Sequence, residues 1–458
     1  MKKSFVKIGM LTAVTAGLML TSCKDKTDDD NVGSSDTVTS SCTSTEVKIV
    51  NIDASNDGVG TTTWTKDNVY VLNGIVFVNS GQTLTIEAGT IIKGAAGAGA
   101  DASALIVARG GKIMANGTEA EPIIFTSIAD GIVRDINGTL CTASNLAKTE
   151  QGLWGGLIVL GKSGLNTVPS IQQIEGIPTS ETRGEYGGSD DADNSGSITY
   201  ISIRHGGTNI GADNEINGLT LGGVGTGTTI EHVEVIANQD DGIEFFGGTV
   251  NLKWAVVTNC GDDSFDYDQG WRGKGQFWYT QQNLNDQTTG DRGGEHDGGT
   301  DPEDAAPYAT PEIRNATYHG HGASRLLTFR DNAGGHYINS IFVNWDKGID
   351  IEDLASGEDS RARLEAGDLS IKHNVFHSIT AGSTLDALLV SNEGGDLSTH
   401  ANINNNSVED PGITATNPVP TATLSAGSAP SDSWFENVTY KGAFSGSNWA
   451  ANWTLLFE

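Results

Sequence analysis

One acidic segment is written twice in this chain. Gln239-Asp240-Asp241-Gly242-Ile243-Glu244-Phe245-Phe246-Gly247-Gly248 returns 22 residues later as Gly261-Asp262-Asp263-Ser264-Phe265-Asp266-Tyr267-Asp268-Gln269-Gly270. A period that short describes one supersecondary unit, and such a unit buries its apolar side only by stacking on copies of itself. The repeat therefore predicts a solenoid. Aligning Thr228 to Gly247 with Val250 to Gln269 sets Val233 on Ala255, Val235 on Val257, Ile243 on Phe265 and Phe245 on Tyr267. Strand side chains alternate between faces, so these residues form an inward ladder while Glu244, Asp266 and Asp268 point outward. Asp240, Asp241, Asp262 and Asp263 fall in the preceding turns.

Other coils join the same register. Asn217 to Gly223 precedes Asp241 to Gly247 by 24 residues, Asn315 to His321 repeats at Asn339 to Trp345, and Asn374-Val375-Phe376-His377 opens a further coil. Short β-branched runs such as Val69-Tyr70-Val71-Leu72, Ile75-Val76-Phe77-Val78 and Leu84-Thr85-Ile86 are separated by Asn-Gly and Ser-Gly turns. With 60 glycines and no sustained helical period, the expectation is all-β: a right-handed, single-stranded parallel β-helix with coils of about 22–24 residues. Only Cys141 to Gln151 is expected as a short helix.

The N-terminus is expected to be a processing segment. Lys2, Lys3 and Lys7 precede an apolar run from Ile8 to Leu20, shorter than the ~20 residues of a membrane span. Leu20-Thr21-Ser22-Cys23 resembles a bacterial lipobox, which implies cleavage after residue 22 and lipidation of Cys23. Residues 23–47, rich in Asp, Ser and Thr, are expected to form a disordered tether, followed by a β-helix domain over residues 48–458. Removing residues 1–22 takes three lysines and no acids, leaving 24 basic against 58 acidic side chains and a formal charge of −34. That field repels nucleic acid and favours cations. Cys42, Cys141 and Cys260 then permit at most one internal disulfide.

Leu84 to Thr90, Trp154 to Gly161, Asp240 to Gly248, Lys347 to Asp353, Tyr440 to Phe444 and Asn452-Trp453-Thr454 resemble a family of Bacteroidota β-helix lipoproteins. Lys24 to Asp30 is similar to the acidic export signals of such proteins. The resemblance implies outer-membrane anchoring with cell-surface exposure, and a place in an outer-membrane protein complex as one use of the rod. It assigns no activity. Its wider architecture is similar to the pectin-lyase-like superfamily, whose fold does not by itself fix chemistry.

Gly156 to Ser163 satisfies the G-x-x-x-x-G-K-S pattern of a phosphate-binding loop, but Leu157 to Leu160 reads as a buried strand and Gly164-Leu165-Asn166 breaks any following helix. No nucleotide cofactor is expected. The outward acids are a sharper signal. Coils ~4.8 Å apart turn the repeat into a carboxylate column, and two unit charges at that spacing repel by about 3.5 kcal/mol at an effective dielectric of 20.

Three arrangements relieve the repulsion. Solvation and turn hydrogen bonds are the simplest. Calcium is the second, with Asp240, Asp241, Glu244, Asp262, Asp263, Asp266, Asp268, Asp291, Glu295 and Asp297 as oxygen donors. The last three belong to an expected insertion at Asn283 to Pro307, where Asp291-x-x-x-Glu295-x-Asp297 repeats the spacing of Asp262-x-x-x-Asp266-x-Asp268. Catalysis on a polysaccharide is the third, as hydrolase or lyase, with Asp262 and Asp263 as acid and base. An Asp-Asp pair followed by His319-Gly320 or His321-Gly322 and then Arg325 or Arg330 resembles polygalacturonases, whose Asn-Thr-Asp and Arg-Ile-Lys segments are absent here.

Trp271 and Trp278 are candidates to stack on sugar rings, whereas the alternation assigns Phe277 and Tyr279 to the coil interior. Trp434, Trp449 and Trp453 are expected to cap the open end near residues 434–458. The scattered His205, His232, His336, His373, His377 and His400 read as structural. The sequence thus points to a lipid-anchored surface β-helix that binds a glycan, with the enzyme and a purely structural or adhesive rod as alternatives.

Overall fold

The computed structural model describes residues 44, 46–209, 216–282, 290–299, 302–392 and 394–458. Cys23, the tether up to residue 43, and Asp286 and Asp301 lie outside the described residues. The described chain is a right-handed parallel β-helix with three faces. Face one is an 11-stranded sheet running from Ile75–Val78 through Ala104–Val107, Leu157–Leu160, Leu219–Gly222, Ile243–Phe246, Phe265–Asp268, Arg292–Asp297, Arg325–Arg330 and Lys347–Ile351 to Leu389–Ser391 and its antiparallel partner Gly395–Asp396. Faces two and three are joined into one 19-stranded ladder. They fuse because Gly196–Arg204, Thr229–Ile236, Asn251–Thr258 and Lys274–Gln281 each run through the corner, pairing one half on each face.

The register is the one the repeat dictates. Val233 pairs with Ala255 and Val235 with Val257, Ile243 with Phe265 and Phe245 with Tyr267, and Leu219 and Leu221 continue the column. Tyr318 pairs with Phe342 across the 24-residue step. These inward rows merge into one apolar core along the rod, as identical coil geometry requires. Leu157–Leu160 is fully buried between Leu105–Val107 and Leu219–Gly222. The amides of Gly161 and Ser163 bond Gly222 and Gly223 carbonyls, so these two are not turned toward a phosphate.

From Gly196–Arg204 onward, each corner between faces two and three is turned by a residue in the left-handed region: Tyr200, His232, Trp254, Phe277, Asn315, Asn339, His373 and Asn405, with φ between 48° and 60°. Asn tolerates that conformation, but bulky side chains are strained in it. Four consecutive corners offset the strain by stacking outside the coils: Tyr200 on His232 at 4.1 Å, His232 on Trp254 at 4.4 Å and Trp254 on Phe277 at 5.8 Å. The left-handed step also inverts the alternation. Trp278 therefore points inward against Phe265 at 4.4 Å, while Phe277 and Tyr279 join an external apolar cluster, the reverse of the sequence expectation.

The C-terminal segment lies on the flank of the rod, not over its end. Trp449 and Trp453 meet the corner stack edge-on at His232, and Trp434 lies 4.7 Å from the Lys253 ammonium. The unpaired apolar outer side of face three required this cover more than the end did. At its terminus the amides of Leu455 and Leu456 donate to the buried Glu234 carboxylate at 2.8 and 2.9 Å, and Lys148 Nζ donates to the Leu456 carbonyl at 2.9 Å. Burial raises the Glu234 pKa, and the Arg204 guanidinium opposes that shift. Replacing Glu234 with Ala leaves two amides without an acceptor and Arg204 without this counter-charge. Unfolding free energy is expected to drop by about 3–5 kcal/mol, and limited proteolysis is expected to cut the flank segment first.

Two further expectations are corrected. Residues 141–151 contain no helix: Leu140–Thr142 pairs antiparallel with Val133–Arg134, and the α-helices among the described residues are Ser360–Ala366, capped by Asp359, and Leu385–Leu388. The expected insertion contains a coil strand, because Arg292–Asp297 stacks on Phe265–Asp268 in face one. Cys141 is disulfide-bonded, and Cys260 is a buried free thiol.

Candidate functional site

One outward column of face one contains Phe77, Ile106, Ile158, Thr220, Glu244, Asp266, Glu295, Thr328 and Asp350, each paired with the next. Its first part is apolar and cannot face water without cost. The chain between Leu160 and Gly196 folds back as a cover, with a small hairpin of Gln172–Gln173 and Glu185–Tyr186. Leu165, Ile174, Ile177 and Tyr186 of this cover pack on Phe77, Ile106, Ile158, Leu160 and Phe246. Beyond Thr220 the column turns acidic.

At that boundary the carboxylates are largely withdrawn from solvent. Asp263 is 1% exposed, and Asp241 and Glu244 are each 7% exposed. Asp241 Oδ1 accepts the Asp263 amide at 2.8 Å, and Asp263 Oδ1 accepts the Arg292 amide at 2.6 Å. Asn217 donates to Glu244 and, at 3.2 Å, to Glu175 of the cover. Asp266 Oδ1 is buried and accepts no hydrogen bond. Arg292 pairs with Asp263 at 3.3 Å and with Asp291 and Glu295 at 2.9 Å. Arg330 pairs with Glu295 at 2.9 Å and Asp297 at 2.7 Å.

Burial pushes the carboxyl pKa values of Asp241, Glu244, Asp263 and Asp266 well above the usual range, and their neighbouring carboxylates push in the same direction. Asp297 is raised to about 7 by burial and by Glu295 and Asp268, against the opposing Arg330. A proton retained by the native state between pH 3.8 and about 7 stabilises it below that window, and the stabilisation is lost as pH rises through 7. In chelator the protein is expected to melt progressively lower from pH 4.5 to pH 8. The contribution of Asp297 to that drop is on the order of a few kcal/mol, and thermal melts across that range check it.

The donor set suits a hard cation. One carboxylate oxygen from each of Asp240, Asp241 and Asp262 lies within 4.8 Å of the others, and the same holds for Asp241, Glu244 and Asp266 and for Asp262, Asp263 and Asp291. The three groups share members and form one continuous column. An all-oxygen set with an orphaned buried acceptor at Asp266 fits calcium. Glu303, an acid of the expected insertion, forms a further, more exposed group with Asp331 and Glu352, two residues that the sequence did not single out.

Of the residues singled out in the sequence, the acids of the repeat and Asp291, Glu295 and Asp297 are brought together. Trp271 and Trp278 are not at this surface. They are 0% and 1% exposed inside the coil, Trp271 stacked on Phe245 at 4.0 Å, and offer no face to a sugar. His319 and His321 lie at the end of face three, with His319 buried beside Asn344. Arg325 lies 3.9 Å from Asp350. Arg325 thus meets the column at its Asp350 end, while Arg330 reaches its acidic middle at Glu295 and Asp297. Glu175, Asn217 and Arg292 were missed. Glu175 comes from the cover, whose position no local pattern encodes, whereas Arg292 was recoverable from the repeated acid spacing around it.

A right-handed parallel β-helix with three faces places the chain in the pectate-lyase-like class of solenoids. The chain belongs to the family described as the pectate-lyase like beta helix domain, whose model matches residues 55–454. Neither a curated protein nor a solved structure matches it.

Proposed function

We propose that this chain is a lipid-anchored surface protein whose β-helix binds a polysaccharide along face one, with calcium held in the carboxylate column. The observation that supports this reading is the excess of buried carboxylates over the adjacent Arg292 and Arg330. Such a cluster relieves its repulsion by taking protons or a cation, and at neutral pH a divalent cation is the stronger partner. Bound calcium would also present positive charge to sugar hydroxyls and carboxylates, which an acidic rod otherwise repels. Lipidation at Cys23 and the tether would hold the rod at the outer membrane, and a place in an outer-membrane complex is compatible with that geometry.

A second reading is favoured by the unequal environments of Asp262 and Asp263. Asp262 is exposed and Asp263 is buried with a raised pKa, and paired carboxyls held in different protonation states are what acid–base cleavage of a polysaccharide needs. One experiment addresses both. The soluble form from Lys24 onward is incubated with neutral and acidic polysaccharides in calcium and in chelator, with binding and reducing-end or unsaturated product both measured. Calcium-dependent binding without product supports the binding reading. Product abolished by Asp263→Asn in a folded protein supports the enzyme, and neither binding nor product rejects both.

A further inference from the structure

A basic pocket stands apart from the acid column on this otherwise acidic protein. Strands Ile75–Val78, Ala104–Val107 and Leu157–Leu160 stack in register, so the turns that follow them stack as well. Those turns bring Ser80, Arg109 and Lys162 together, and the cover hairpin adds Thr182 and Arg183. The residues line a cavity of about 360 Å³. Gly110 keeps it open: its φ is +88°, and a Cβ there would sit 2.7 Å from Ser80 Oγ and 3.2 Å from Lys162 Nζ.

The two guanidiniums are held in place by groups that leave donors to spare. Arg183 lies 3.8 Å over the Phe77 ring, pairs with Glu181 at 2.6 Å and donates to the Ser55 carbonyl at 2.9 Å. Arg109 donates to the Gly187 carbonyl at 3.1 Å and to Glu185 at 3.3 Å, which leaves its Nε and further N–H groups unspent. Lys162 is exposed and enters no ion pair among the described residues, although Asp193 lies within its electrostatic reach. Glu181 and Glu185 each answer one arginine and Asp193 partly offsets the lysine from outside, but no acid lines the cavity itself, whose charged lining is Arg109, Lys162 and Arg183.

We propose that this pocket binds the anionic substituent of an acidic glycan, a uronate carboxylate or a sulfate ester, through Lys162 and Arg109 with the Ser80 and Thr182 hydroxyls assisting. Charge-assisted donors arranged around an open cavity suit an oxyanion. A chain whose net charge is −31 repels anionic polymers generally, so a local cationic pocket is what admits one. The proposal rests on the glycan reading for its choice of ligand.

The test is calorimetric titration of the soluble protein with a sulfated heparin hexasaccharide, a galacturonate hexasaccharide and uncharged xylohexaose, all in calcium. Lys162→Gln and Asp266→Asn are compared with the wild type. The expected result is that at least one anionic hexasaccharide binds more tightly than xylohexaose, weakens at least tenfold in Lys162→Gln and weakens with added salt. The sulfated and uronate arms identify the substituent. Anionic binding that is lost in Asp266→Asn but unchanged in Lys162→Gln overturns the pocket and leaves the calcium-column reading standing. Xylohexaose bound as tightly as the anionic sugars does the same, and no binding of any sugar overturns both.

Discussion

Replacing Asp266 with Asn is expected to raise the melting temperature of the calcium-free protein and to remove most of the stabilisation that millimolar calcium gives the wild type. Asp266 stacks on Glu244 and under Glu295, and those carboxylates act with its burial to raise its pKa. At a pH where the carboxyl is ionised, removing its charge removes a repulsion of about 1–3 kcal/mol in the absence of metal. The same change takes away one anionic ligand and leaves a weaker amide oxygen. A cation at 100 times its dissociation constant stabilises the native state by about 2.7 kcal/mol, and that gain is what the variant forfeits. The opposite signs in chelator and in calcium separate a metal site from a merely crowded surface, because simple solvation predicts no calcium-dependent difference. Differential scanning calorimetry of both proteins in both buffers reads the effect.

Trp278→Ala is expected to cost about 3–5 kcal/mol of unfolding free energy, the range for deleting a large buried aromatic side chain. The indole lies parallel to Phe265 at 4.4 Å and to Phe245 at 5.9 Å, and its N–H donates to the Leu252 carbonyl at 3.0 Å. Truncation leaves a cavity spanning several coils and a carbonyl without its partner. Urea unfolding measures the loss, and Trp434→Ala, at a half-buried flank position, is expected to cost about 1 kcal/mol or less. A Trp278→Ala variant as stable as the wild type would place the indole at the surface after all.

The repeat made the core legible because a period of 22 residues fixes register, and register fixes which side chains face inward. Ile243 on Phe265 and Phe245 on Tyr267 followed from that alone. The acid column was legible for the same reason. Trp278 was misplaced because alternation holds only within one strand, and the left-handed Phe277 resets the phase at the corner. The coil at Arg292–Asp297 was taken for an insertion because the step into it, from Phe265 to Gly294, is longer than the step before it, from Ile243 to Phe265, even though its acid spacing announced it. The cover that supplies Glu175 and Tyr186, and the flank segment that buries Glu234, are long-range packings. They answer the exposed apolar residues of faces one and three, and nothing local in their own sequences states where they land.

The most direct measurement of the central claim is anomalous diffraction from crystals of the soluble protein grown in calcium and soaked with a lanthanide. The account predicts an anomalous peak in the column formed by Asp241, Glu244 and Asp266, coordinated by their carboxylate oxygens and absent in Asp266→Asn crystals. A wild-type map with no peak there, and with those carboxylates bonded only to water and to one another, would contradict it.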